Sequence, residues 1–258
     1  MTSPRAIINV SGLVPEAQEI TRCVAEIYLS HTRSWLISLL ARGSAVTGGC
    51  IPGCSDINLL LYLDEGTFVG GLHPPLDLSL SVQSDLATIS CAPFRRVQCE
   101  VVSPNRLDTL TGPIPGAYHV IAGHCHLPET TPKQLETSAQ AALDALQPWP
   151  PYVTSALWSR GAGRLPYCIR RLCTDVWAVL RQVLTFELAD PLRAWQLPKV
   201  QAMALLAPES ARSRLIWDFY RALQVYYPEQ TDIEAAWDIV EHGIAFRRAA
   251  RAWWQERG

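Results

Sequence analysis

Residues 43–59 read Gly-Ser-Ala-Val-Thr-Gly-Gly-Cys-Ile-Pro-Gly-Cys-Ser-Asp-Ile-Asn-Leu, and their types and spacing suit phosphate chemistry. A Gly-Ser turn can offer backbone N–H groups and a hydroxyl to phosphate oxygens. The apolar run after Asp56, through Leu63, reads as a strand with both faces covered. Alternation then puts Asp56 and Asn58 on one face, with Ile57 and Leu59 on the other. Oxygen ligands converging from one strand face suit magnesium, which is commonly held by one or two carboxylates together with substrate phosphates. Metal ions so held stabilise charge on the attacking and leaving oxygens of an in-line displacement at phosphorus. The plain alternative is a glycine-rich turn entering a buried strand. Gly-Ser, Gly-Gly and Ser-Asp together at these spacings argue against it.

The run resembles the signature of the DNA polymerase beta-type nucleotidyltransferases: a Gly-Ser turn, a glycine-rich excursion, then Ser-Asp-hydrophobic-Asp opening a strand. Within that superfamily it is most similar to the bacterial streptomycin/spectinomycin adenylyltransferases of antibiotic resistance, which carry a similar Gly-Ser-Ala-Val-x-Gly-Gly run. The resemblance implies transfer of a nucleoside monophosphate, AMP by default, from Mg2+–ATP or another NTP to a hydroxyl of a small molecule, an aminoglycoside-like acceptor among them. Gly43, Ser44 and Ser55 would then hold nucleotide, and Asp56 would be both catalytic and a metal ligand. Asn58 occupies a metal-ligand position, and Glu100 would be the third ligand and the group that deprotonates the acceptor. Lys199, in Leu197-Pro198-Lys199-Val200-Gln201-Ala202, matches a Pro-Lys-x-x-Ala helix start whose lysine contacts the phosphates.

Two positions depart from the pattern. Asn58 stands where the second acid belongs, and its amide oxygen is neutral. The family's Val-Glu-Val strand, laid over Val97-Gln98-Cys99, puts Gln98 at the third acid; shifted by two residues, Glu100 takes that place on the same strand face. Glu100 is preferred as the strand's only carboxylate. Two readings stay open: an enzyme working with Asp56 and Glu100 alone, or a degenerate protein that binds nucleotide with little or no transfer. Nucleotidyltransferase-like antitoxins form a third class, but those are usually much shorter single domains.

Streptomycin-type acceptors are cations, which those enzymes grip with tryptophan and acidic residues. The comparable segment here, residues 149–166, keeps Trp149 and Trp158 but carries Arg160 and Arg164. Like charges would repel an aminoglycoside. The arginines lie on a solvated loop or bind an anionic group. Lys199 has its own plain alternative, a solvated lysine in a first helical turn, where the dipole mildly disfavours positive charge. Its placement there, with Lys133 as the only other lysine, favours function. The arginine-aromatic run at 246–254 could touch nucleic acid, but a helix with one packed and one solvated face accounts for it better.

The positioning elements follow from periodicity. Residues 16–40 recur at helical spacing, from Ile20 and Val24 to Leu36 and Leu39. Strands are expected at 56–63, 76–82, 96–102 and 119–127, and helices at 132–147, 166–188, 198–206, 210–226 and 233–255. Capping boxes mark Thr131–Gln134 and Thr231–Glu234. Eight of the nine tryptophans lie beyond Pro148, giving the helical half its own core. The expectation is an α+β chain: a mixed-sheet nucleotidyltransferase domain over 1–130 and a helical, acceptor-binding bundle over 131–258. With 258 residues, 48% of them apolar, the chain is long enough to bury both cores. The net charge of −2 gives no nucleic-acid or membrane surface. No apolar run reaches a membrane span, and residues 1–16 carry no secretion signal, so a cytoplasmic protein is expected. The eight cysteines lack C-x-x-C spacing, and His124-Cys125-His126 would alternate across a strand, so free thiols are expected. Nothing in the sequence selects between monomer and dimer.

Overall fold

The computed structural model describes residues 7–70, 73–103, 112–125, 127–158, 164–227, 230 and 233–257. The chain divides into two compact units, Met1–Thr130 and Thr131–Gly258.

The first unit is built on a four-stranded mixed sheet of order β3-β2-β1-β4. The strands are β1 (Leu36–Arg42), β2 (Ile57–Leu63), β3 (Val97–Val102) and β4 (Tyr118–Gly123). β1 runs antiparallel to β2 and β4, while β2 and β3 are parallel. Leu39, Ala41, Ile57, Leu59, Leu61 and Ile121 face α1 (Pro15–Thr32), burying its Val24, Ala25 and Tyr28. The opposite face carries a smaller apolar cluster of Leu40, Leu60, Tyr62 and Val102. Alternation puts Arg42, Asn58, Gln98 and Glu100 on that second face.

Two expected elements differ. The helix expected over 16–40 stops at Thr32, and Leu36–Arg42 forms β1. Leu39, Leu40 and Ala41 are consecutive buried residues. A helix buries one stripe, whereas a central strand with both faces covered buries every position. The strand expected at 76–82 is instead α3 (Leu76–Leu86). Parallel β2 and β3 need a long crossover, usually helical. α3 lies against α1 and touches the core through Val82 and Leu86 at helical spacing. Leu76 and Leu80, which made the alternation, are 71% and 58% exposed.

The second unit is helical: α4 (Pro132–Asp144), α5 (Pro151–Leu157), α6 (Arg164–Glu187), α7 (Arg193–Gln196), α8 (Lys199–Met203), α9 (Ala211–Tyr226) and α10 (Ile233–Gln255). α4 starts on the expected capping box of Thr131 with Gln134; the box expected at Thr231 falls outside the described residues. α6 is central and packs on α4, α5, α7, α8 and α10. Its buried residues, including Ile169, Leu172, Val176, Val179 and Val183, recur every three or four positions. All eight cysteines are free, and no described helix is long and apolar enough to cross a membrane.

Gly243 lets α10 approach its neighbours closely. A Cβ there would meet Leu172 at 2.9 Å and Phe219 at 3.1 Å. Both side chains are fully buried and have nowhere to swing. Overpacking costs about 1–3 kcal/mol, against a helix-propensity gain of about 1 kcal/mol for Ala over Gly. Gly243→Ala should therefore lower the urea midpoint without changing far-UV circular dichroism; a raised midpoint would mean the contact is looser.

Candidate functional site

The glycine-rich run is a closed loop between β1 and β2. Gly43 has φ +73° and ψ −148° and turns the chain into the single helical turn α2 (Ser44–Thr47). The Gly43 carbonyl accepts from the N–H groups of Val46 and Thr47, each at 2.9 Å. Gly48 and Gly49 follow with φ of 83° and 74°. Ser55 closes the second half: its Oγ accepts from Ile51 N–H at 2.9 Å, and the residue is buried.

Backbone pairing carries on upstream of the strands. Gly53 N–H donates to Pro93 O, Arg95 N–H to Ser55 O and Ile57 N–H to Arg96 O, at 2.9, 2.9 and 3.0 Å. This ladder fixes Arg96 beside Asp56. Arg96 Nε donates to Asp56 Oδ2 at 3.2 Å, and a terminal nitrogen donates to Gln98 Oε1 at 3.0 Å. In the parallel register Asn58 lies opposite Gln98, and Glu100 lies two pairs further, opposite Leu60. Glu100 pairs instead with Arg42, whose guanidinium donates to Oε2 at 3.1 Å. Arg42 is opposite Asn58 across β1–β2. Asn58 Nδ2 reaches the Asp56 carbonyl at 3.4 Å.

Two residues of this cluster, Arg42 and Arg96, escaped the sequence reading. The signal was present: Arg96, Gln98 and Glu100 follow the same i, i+2, i+4 spacing, and Arg42 immediately precedes Gly43.

A two-magnesium centre needs converging carboxylates. Among the described residues no group of three or more His, Cys, Asp or Glu side chains is placed to hold a metal ion. Asp56 and Glu100 each face a guanidinium, Asn58 and Gln98 are neutral, and the two positive and two negative charges cancel. This donor set does not fit a magnesium pair.

In the second unit Lys199 is the first residue of α8, its Nζ 5.9 Å from the centre of the Trp177 ring. The segment entering α8 is pinned by Arg181, which donates to the carbonyls of Ala194 and Leu197. Burial lowers the Arg181 guanidinium to about 10, so it stays charged at neutral pH. Around α5 and α6, Trp158 is 89% exposed, and Arg171 lies 4.3 Å from the Tyr152 ring centre. Asp175, the nearby acid, accepts from Tyr152 Oη at 2.6 Å. Arg164 begins α6 and is exposed, while Arg160 lies outside the described residues, as does His126. The arginine-aromatic run of α10 is folded into its own unit: Arg247 is buried and donates to Gln147 O, and Trp254 Nε1 donates to Asp144.

The Gly43 conformation is one that only glycine adopts readily, and such strain costs about 1–3 kcal/mol in other residues. A Cβ would find Asn58 Nδ2 at 3.4 Å, an ordinary contact, so the cost is one of backbone and not of clash. Gly43→Ala should lose stability of that order in urea titration; an unchanged midpoint would show that the turn relaxes into another conformation.

No protein-family model matches the chain, and no curated protein matches it. Its structure is similar to the spectinomycin adenyltransferase AAD(9) from Enterococcus faecialis, solved with ATP and spectinomycin. The TM-score is 0.52 at 14% identity, covering 89% of this chain and 98% of that one. The likeness is one of fold: an α+β architecture, mixed sheet first and helical region after.

Proposed function

We propose that this chain is a nucleotide-binding protein of the nucleotidyltransferase fold whose metal-dependent transfer step has been lost. The observation that carries this reading is the pairing of Asn58 with Gln98 across β2 and β3. The family resemblance puts an acid at position 58, and the Val-Glu-Val alignment puts another at position 98. Each amide keeps the shape of its acid and removes one unit of negative charge from a divalent ion. The nucleotide elements of the resemblance, Gly43, Ser44, Ser55 and Lys199, are all retained in the sequence. ATP is the first ligand to test, because the fold neighbour was solved with it.

A second reading is transfer of AMP to a small-molecule hydroxyl. It is favoured by the same neighbour, solved with spectinomycin as well, and by the retention of Asp56 and Glu100. Arg171 with Tyr152 and Tyr167 suits an anionic acceptor better than a cationic aminoglycoside.

Calorimetry with ATP, followed by pyrophosphate release from Mg–ATP over a panel of aminoglycosides and polyols, tests both. Wild type is expected to bind ATP and release pyrophosphate only at background. Asn58→Asp/Gln98→Glu is expected to raise release by about tenfold or more, equivalent to about 1.4 kcal/mol of barrier. Acceptor-dependent release by wild type would establish the second reading, and absence of ATP binding would remove the first.

A further inference from the structure

The arrangement around Asp56 and Glu100 goes further than the loss of a metal site. Each carboxylate that remains holds a cation, but that cation is a guanidinium. We propose that the β1–β2–β3 end of the sheet is a metal-independent polyphosphate site. In it, Arg42 and Arg96 supply the positive charge that magnesium ions supply in a transferring enzyme, and Asp56 and Glu100 hold those arginines in place. This inference rests on the nucleotide-binding reading above and names how that binding is achieved.

The geometry supports it from several sides. A guanidinium has five N–H donors in a fixed plane, so anchoring some of them orients the rest. Arg96 spends Nε on Asp56 and one terminal nitrogen on Gln98, at 3.2 and 3.0 Å. Its side chain is still 43% exposed, while that of Asp56 is 13% exposed. The acid is the buried anchor, and the arginine is the group that reaches solvent. Arg42 is held at the surface rather than by a buried acid: one terminal nitrogen is on Glu100 at 3.1 Å, and the two side chains are 46% and 45% exposed. Arg42 also adjoins the Gly43-Ser44 turn and lies opposite Asn58, so the two arginines approach from either side of β2.

The amides fit the same picture. Carboxylates at positions 58 and 98 would repel a bare polyphosphate, whereas amides add N–H donors and no charge. The substitutions that spoil a magnesium site therefore also remove the reason for needing one. Metal-free ATP carries more negative charge than Mg–ATP, so a guanidinium site should prefer it.

The test is titration of the full chain with ATP, ADP, AMP and inorganic tripolyphosphate, in EDTA and in excess magnesium. ATP binding in EDTA is expected to be at least as tight as in magnesium. Arg96→Gln and Arg42→Gln should each weaken it by about tenfold, the scale of one charge-assisted contact, and Arg96→Lys by less. Both side chains are about half exposed, so the variants are expected to keep the wild-type circular dichroism spectrum, with the urea midpoint unchanged for Arg42→Gln and lowered for Arg96→Gln, which takes one partner from the largely buried Asp56. Tripolyphosphate binding as tight as ATP would identify the phosphate chain as the ligand, and a strong preference for ATP would place a base contact beside it. Binding that requires magnesium, or that ignores both Gln variants, overturns the arginine site while leaving nucleotide binding intact. No binding of any of these ligands in either buffer removes the nucleotide reading itself.

Discussion

Parallel pairing of β2 with β3 governs the chemistry available at this sheet, because it decides which side chains become neighbours. The pairing is long-range, closed only after the chain has crossed over through α3 and returned beside the strand it left. Its register is set before the strands begin, by the bonds from Gly53 to Pro93, Arg95 to Ser55 and Ile57 to Arg96. With those rungs in place, Asn58 faces Gln98, and Arg96 reaches Asp56 and Gln98. Slipping by one residue would turn every side chain of β3 to the other face and bury Glu100 against α1.

The two sheet faces divide the labour. One face is largely apolar and packs on α1, which fixes the sheet as a platform. The other has a small apolar cluster at one end and a polar row at the other, where Gln98, Asn58, Arg42 and Tyr118 stand in register across all four strands. Polar side chains can crowd there because they satisfy one another: carboxylate with guanidinium, and guanidinium with amide. The second unit handles its buried charge differently. Arg181 and Arg247 are turned on backbone carbonyls, and Arg212 pairs with Glu187 and stacks 4.3 Å from the Trp253 ring centre. These arginines join helices to each other and to the connecting segments.

Much of this was legible from sequence where the signal was local. The turn at Gly43, the strand after Asp56 and the capping box at Thr131 each depend on residues within a few positions of one another. Reading failed where the outcome depended on distant partners. Residues 36–40 have helical spacing but become strand, because β2 and β4 flank them on both sides. Leu76, Leu78, Leu80 and Val82 alternate like a strand but become helix, because two parallel strands must be bridged. The contacts from Arg42 to Glu100 and from Arg96 to Asp56 span 58 and 40 residues. Composition gives no sign of them, and only the register makes neighbours of these residues.

β3 is also an outer strand of the sheet, with β2 as its single partner among the described residues. An outer strand offers unused backbone donors and acceptors to any extended chain that passes, and natural sheets defend such edges with charge. Arg96, Gln98 and Glu100 place polar groups at every second position along this one. Polar and charged side chains on an outer strand disfavour edge-to-edge pairing with other copies of the same chain. An apolar row in its place would leave an outer strand open to such pairing.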